Sequence, residues 1–125
     1  MAGYTHKNLD DVADSASDPG FEAHFSGRAL DLERTGLTLF RFEPNARVPF
    51  GHSHGNGEEV YVVVSGSARI KIEDEIVDLA RWDAVRVPGE AMRTLAAGPE
   101  GAEVIAFGER SRAEGGETVM GWWRD

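Results

Sequence analysis

Apolar and polar positions along most of this chain repeat with a period of two, the period of extended strands. In Gly36–Phe42, Leu37, Leu39 and Arg41 fall on one face and Thr38, Phe40 and Phe42 on the other. Glu43-Pro44-Asn45-Ala46 then reads as a turn. Val60–Val64 is apolar without interruption, which predicts a strand covered on both faces. One cover is the interior of a small barrel; the other is the N-terminal arm or a second subunit. Ser65-Gly66-Ser67 reads as a turn, after which Ala68, Ile70 and Ile72 alternate with Arg69 and Lys71. Glu73-Asp74 turns the chain into Glu75–Leu79, completing a hairpin. Ala84–Val87 is a further strand, stopped by Pro88-Gly89. Met92–Ala97 follows as another strand, Pro99-Glu100-Gly101 as a loop, and Ala102–Phe107 as the last strand. Short strands punctuated by Gly and Pro predict an all-β sandwich or closed barrel. No segment of useful length has helical periodicity, and no internal repeat is present.

The ends of the chain differ from its middle. Residues 1–20 form a polar, acidic arm, in which Asn8 is placed to cap a single helical turn with Leu9, Val12 and Ala13 on one face. The barrel is expected over residues 21–108. Residues 109–125 form a tail ending in Trp122-Trp123, and two adjacent indoles are expected to dock on the barrel or on a partner subunit.

Composition narrows the function. The 125 residues support one domain with one core. A formal net charge of −9 opposes binding to nucleic acid or to an anionic membrane surface. The absence of cysteine excludes disulfides and thiolate metal sites, so any metal must be held by imidazole and carboxylate. Neither a signal-peptide-like run nor a bilayer-spanning stretch is present, which sets the cytoplasm as the expected location.

The chemistry concentrates in Gly51–Gly66. His52 and His54 are two apart and share a face on an extended chain. The glycines of Gly55-Asn56-Gly57 let the chain turn so that Glu59 returns to that face. Two imidazoles and one carboxylate make an open facial triad suited to Fe(II), Mn, Ni or Zn. Tyr61 and Val63 lie on the face of Glu59, so Tyr61 either lines the pocket or is a core tyrosine; Glu58 faces the other way, toward solvent. His6 and His24 lie outside this stretch and read as surface or edge-strand residues. No nucleophile with an adjacent base is evident, so acyl-transfer chemistry has no support.

The spacing His52-x-His54-x4-Glu59-x6-Gly66 resembles the first motif of the cupin superfamily. The second motif, Gly-x5-Pro-x4-His, is matched by Trp82–Arg93, where Pro88 fits, Trp82 stands in place of Gly and Arg93 in place of His. Trp82 is compatible with the pattern where the turn is not left-handed. The resemblance covers about residues 37–108. It implies an antiparallel double-stranded β-helix, the jelly-roll or cupin barrel, commonly dimeric, with its ligands pointing inward. Only His52, His54 and Glu59 carry over as metal ligands, because a guanidinium has no lone pair to donate.

Two readings of the site follow. In one, His52, His54 and Glu59 hold a divalent metal; in the other, Arg93 occupies the metal's place and pairs with Glu59. The functional expectation is a small-molecule-binding homodimer whose pocket contains His52, His54, Glu59, Tyr61 and Arg93. Arg93 would favour an anionic ligand. The alternatives are a metal-dependent oxygenase or isomerase and a structural or regulatory dimer with a vestigial pocket. Whether the protein is an enzyme stays open at this stage.

Overall fold

The computed structural model describes residues 2–16, 18–55, 57–109 and 116–123. The strands are β1 (Phe21–Phe25), β2 (Thr35–Phe42), β3 (Phe50–His52), β4 (Glu58–Ile72), β5 (Glu75–Leu79), β6 (Ala84–Pro88), β7 (Arg93–Glu109) and β8 (Thr118–Met120). All their pairings are antiparallel, and they form one curled sheet. The only helical element among the described residues is a 3-10 turn, Leu9–Asp11, whose Asp10 amide donates to Asn8 Oδ1 at 2.9 Å.

The sheet becomes a barrel because β4 and β7 are long and bent. Ser65-Gly66-Ser67 is no turn, and Pro99-Glu100-Gly101 does not separate two strands; both segments lie inside continuous strands. The pairing of β4 with β7 shifts register between Val63 and Ser65, and again between Gly66 and Ala68. Such bulges bend a ribbon and raise its twist. The halves of β4 and β7 on one side of the bend join β1, β2 and β6; the other halves join β3, β5 and β8. Glycine is required at the bend: Gly66 has φ of +71°, and a Cβ there would sit 2.0 Å from Gly101 O. A sequence reading sees the glycines but not the partner strand they accommodate, and so reads a bulge as a turn.

The apolar core lies between the two layers and includes Phe42, Val63, Ile70, Val87, Leu95 and Val104. The turns at Glu43–Ala46 and Glu73-Asp74 are present, with positive φ at Asn45 (60°) and Glu73 (50°). The turn before β6 is left-handed at Trp82, with φ of 72°. This corrects the condition under which Trp82 was expected to replace glycine comfortably: a side chain occupies a backbone region that favours Gly. The Trp82 ring is 65% exposed and lies over Arg81.

Both ends of the chain are tied down. Ser15 N donates to Ala23 O at 2.8 Å, Asp14 Oδ1 accepts from Ala23 N at 2.8 Å, and Asp10 pairs with Arg41. His24, expected at the surface or on an edge strand, lies on the edge strand β1 and is buried beneath this arm. In the tail, β8 pairs with β3, and the Trp122 ring packs on Gly51, where a Cβ would come within 2.6 Å of it. Trp123 is buried, with the guanidinium groups of Arg47 and Arg69 at 4.8 and 4.9 Å from its ring. The indoles are therefore covered by this chain's own barrel. Residues 110–115 and 124–125 of the tail, and Asn56 of the motif loop, lie outside the described residues.

Candidate functional site

Three neighbouring segments build the site. His52 ends β3, held between Thr118 of β8 and Arg93 of β7. His54 follows in an irregular stretch anchored through its backbone, its N–H donating to Gly89 O at 2.7 Å. Ser53 N donates to Glu117 O at 2.9 Å, so the tail also fixes this stretch. Glu59 is on β4 opposite Val87 of β6, and strand alternation places Tyr61 beside it on the inner face.

One donor atom each from His52, His54 and Glu59 lies within 4.8 Å of the other two. The imidazole rings meet edge-on with centroids 5.0 Å apart. His54 Nε2 donates to Glu59 Oε1 at 3.2 Å, and Tyr61 OH donates to the same oxygen at 2.5 Å. Buried His52 Nδ1 has no hydrogen-bond partner among the described residues.

The protonation states suit a ligand set. Burial pushes the His52 pKa down to about 4, helped by the charges of His54 and Arg93 and opposed by Glu59. His52 is thus neutral at pH 7 and keeps a lone pair. Burial raises the Glu59 pKa, but the hydrogen bonds from His54 and Tyr61, with the charges of His54 and Arg93, outweigh it and leave the carboxyl below its usual range. Burial and the neighbouring Glu59 charge push Tyr61 upward, so its phenol stays a donor.

Arg93 is buried to 0% exposure. Its Nη1 donates to the carbonyls of Ala91 at 2.6 Å, Gly89 at 3.1 Å and Pro88 at 3.4 Å. Its Nε donates to Tyr61 OH at 3.4 Å, and Nη2 lies 3.6 Å from Glu59 Oε1. The sequence placed Arg93 among the ligand-contacting residues. In the fold it packs behind Glu59 and Tyr61 and is not part of the cavity wall, so the expected cation for an anionic ligand presents no atom to the cavity.

That cavity, of about 620 Å³, is lined by His52, His54, Glu59 and Tyr61. Its walls include the phenylalanines Phe21, Phe25, Phe40 and Phe50, and Asp18, Glu109 and Glu117 also line it. Sequence reasoning missed these contributors. The alternation of Phe21, Ala23 and Phe25 carried a signal for β1, but the acidic residues belong to segments that meet only in the fold.

No family model and no curated protein matches this chain. Solved structures do. A cupin protein from Bacteroides fragilis matches with a TM-score of 0.72 at 23% identity, covering 92% of both chains. KdgF from Halomonas sp. matches with a TM-score of 0.68 at 20% identity, covering 83% of this chain and 92% of that one. Oxalate decarboxylase from Bacillus subtilis matches with a TM-score of 0.75 at 22% identity, covering 96% of this chain and 33% of that longer one. At these identities the likeness shows the fold, the cupin jelly roll.

Proposed function

We propose that this chain is a small-molecule-binding cupin whose barrel holds a divalent metal through His52, His54 and Glu59. The observation that carries this reading is the convergence of three donor atoms within 4.8 Å on the cavity wall. The donor set fits: a neutral imidazole with an orphaned buried nitrogen, a second imidazole and an ionised carboxylate. Two nitrogens and one oxygen suit Fe, Mn, Ni or Zn and leave positions open for a ligand. Such a metal would supply Lewis acidity to a bound molecule. The protein's own residues do the rest: Tyr61 orients Glu59, Gly89 O fixes the His54 backbone, and the phenylalanine walls exclude water.

Arg93 favours a second reading. Its Nη2 stands 3.6 Å from Glu59 Oε1, close enough to neutralise that carboxylate without a metal. A dication in the site would face this fixed charge, so metal affinity is expected to be modest. The protein is further proposed to act as a homodimer in the cytoplasm; no helix among the described residues is long and apolar enough to cross a membrane. A metal-dependent oxygenase or isomerase activity would use the same centre.

The test is elemental analysis of untagged protein purified without added metal, followed by calorimetric titration with Mn²⁺. Glu59→Gln and His52→Ala should each weaken Mn²⁺ binding at least tenfold. Equal affinity in wild type and both variants removes the metal centre and leaves the Arg93–Glu59 reading.

A further inference from the structure

The chemistry of the cavity wall is uneven. From β1 and β2 the inward positions supply Phe21, Phe25 and Phe40, and β3 adds Phe50 next to His52, their ring centroids 6.3 Å apart. Polar donors cluster on the β3–β4 side, at His52, His54, Glu59 and Tyr61. The remaining charged residues of the wall are Asp18, Glu109 and Glu117, all acidic, and no Lys or Arg lines it among the described residues. Arg93 is sealed behind Glu59 and Tyr61 with its Nη1 committed to backbone carbonyls.

We infer that this cavity, with no metal at His52, His54 and Glu59, takes a predominantly apolar, ring-bearing molecule with a neutral or cationic head group, and discriminates against carboxylates and phosphates. The inference rests on the proposal that the cavity is a small-molecule site, and names its ligand class. An aromatic body gains from burial against phenylalanine rings, which also offer edge and face contacts. A volume of about 620 Å³ falls in the range of drug-sized ligand pockets, roughly 300–1,000 Å³. An anion entering the metal-free cavity would lose hydration and meet no Lys or Arg among the described residues. It would also approach acidic side chains on a chain of net charge −9, a field that concentrates cations and repels anions. The head group is expected to face His52, His54 and Glu59, the polar end of the wall.

Matched probes with one ring system test this: naphthalen-2-ylmethanol, naphthalen-2-ylmethylamine and 2-naphthoate, with malonate as a ringless dianion. Binding is measured calorimetrically on the full chain, as purified and after chelator treatment. After chelator treatment the alcohol and the amine should bind at least tenfold more tightly than 2-naphthoate, and malonate should bind most weakly. Phe25, 57% exposed where it lines the cavity, is the safest wall residue to change. Phe25→Ser should weaken alcohol binding at least threefold. Equal or tighter binding of 2-naphthoate after chelator treatment, no binding of the alcohol at millimolar concentration, or an unchanged alcohol affinity in Phe25→Ser overturns the inference. Parallel Mn²⁺ titrations separate the two proposals. Ring selectivity without Mn²⁺ binding removes only the metal centre, and Mn²⁺ binding with a preference of the chelator-treated protein for 2-naphthoate removes only the ligand class.

Discussion

At the scale of single residues, Arg93 decides how the site behaves. A buried guanidinium is costly where its donors lack partners; here three carbonyls of the Pro88–Ala91 segment accept from Nη1, whereas buried Nη2 makes no hydrogen bond among the described residues and meets Glu59 Oε1 as a charge at 3.6 Å. Gly89 O also accepts from His54 N, so Arg93 and His54 are anchored to the same peptide. Arg93 therefore has two effects on the metal ligands: it holds the segment that positions His54, and it sets a positive charge beside Glu59. Two unit charges about 4 Å apart interact by about 4 kcal/mol at an effective dielectric of 20, which is comparable to the cost of desolvating them. Arg93→His removes the fixed charge and the carbonyl anchors together. It should tighten Mn²⁺ binding at least tenfold in calorimetric titration, while urea unfolding shows a loss of about 3–5 kcal/mol, the range for breaking a buried pair. Unchanged Mn²⁺ affinity in a folded variant would show that Arg93 does not oppose the metal.

At the scale of elements, the chain was legible where burial is one-sided and local. The alternation in the second half of β4 marks its inward face directly, and Glu73-Asp74 marks the hairpin from it to β5, whereas β2 carries apolar residues on both faces. The short strands β3 and β8 were not legible. Each is three residues long and exists through its pairing, Phe50 with Met120 and His52 with Thr118, across a distance in sequence that no local pattern reports. The site divides along the same line. The spacing of His52, His54 and Glu59 within one segment was sufficient to group them, whereas Asp18, Glu109 and Glu117 reach the cavity through topology.

The N-terminal arm shows the same dependence on tertiary contact, and it brings a pH response. His24 Nδ1 faces Val12 O at 2.6 Å and Nε2 faces Glu22 Oε1 at 2.7 Å, so both ring nitrogens meet acceptors. An imidazole satisfies both only as the imidazolium. The Val12 carbonyl raises the His24 pKa most, burial opposes it, and Glu22 and Asp14 add to the rise. A folded pKa above the ordinary 6.5 means that the folded state binds the proton more tightly than the unfolded chain. The stabilisation is fully present below about pH 6.5 and is lost as pH rises through the elevated folded value. The melting temperature of wild type should exceed that of His24→Gln by the largest margin near pH 6, and the margin should shrink by pH 9. A margin constant across that range would mean that the arm is held without the charge.

For the whole molecule, the outer face of the layer containing β2, β7 and β4 bears on assembly. Leu37 stands opposite Phe107, Phe107 opposite Val60, and Ile105 opposite both Leu39 and Val62, so these side chains form one apolar stripe across three strands. The arm covers the β1 side of this face, where Leu39 is buried beside His24, but Phe107 is 44% exposed. With Trp122 and Trp123 docked on their own barrel, this stripe is the surface on which the proposed dimer would form. A stable interface buries about 800 Å² on each partner and keeps charge to its rim; here the apolar stripe has Arg86 opposite Val60 on one margin and the Arg41–Glu103 pair on another. Phe107→Glu places a carboxylate in the middle of it without touching the cavity wall. Sedimentation velocity should therefore find wild type as a dimer at micromolar concentration and Phe107→Glu as a folded monomer. A wild-type monomer, or a variant that still sediments as a dimer, would remove the stripe as the dimer interface.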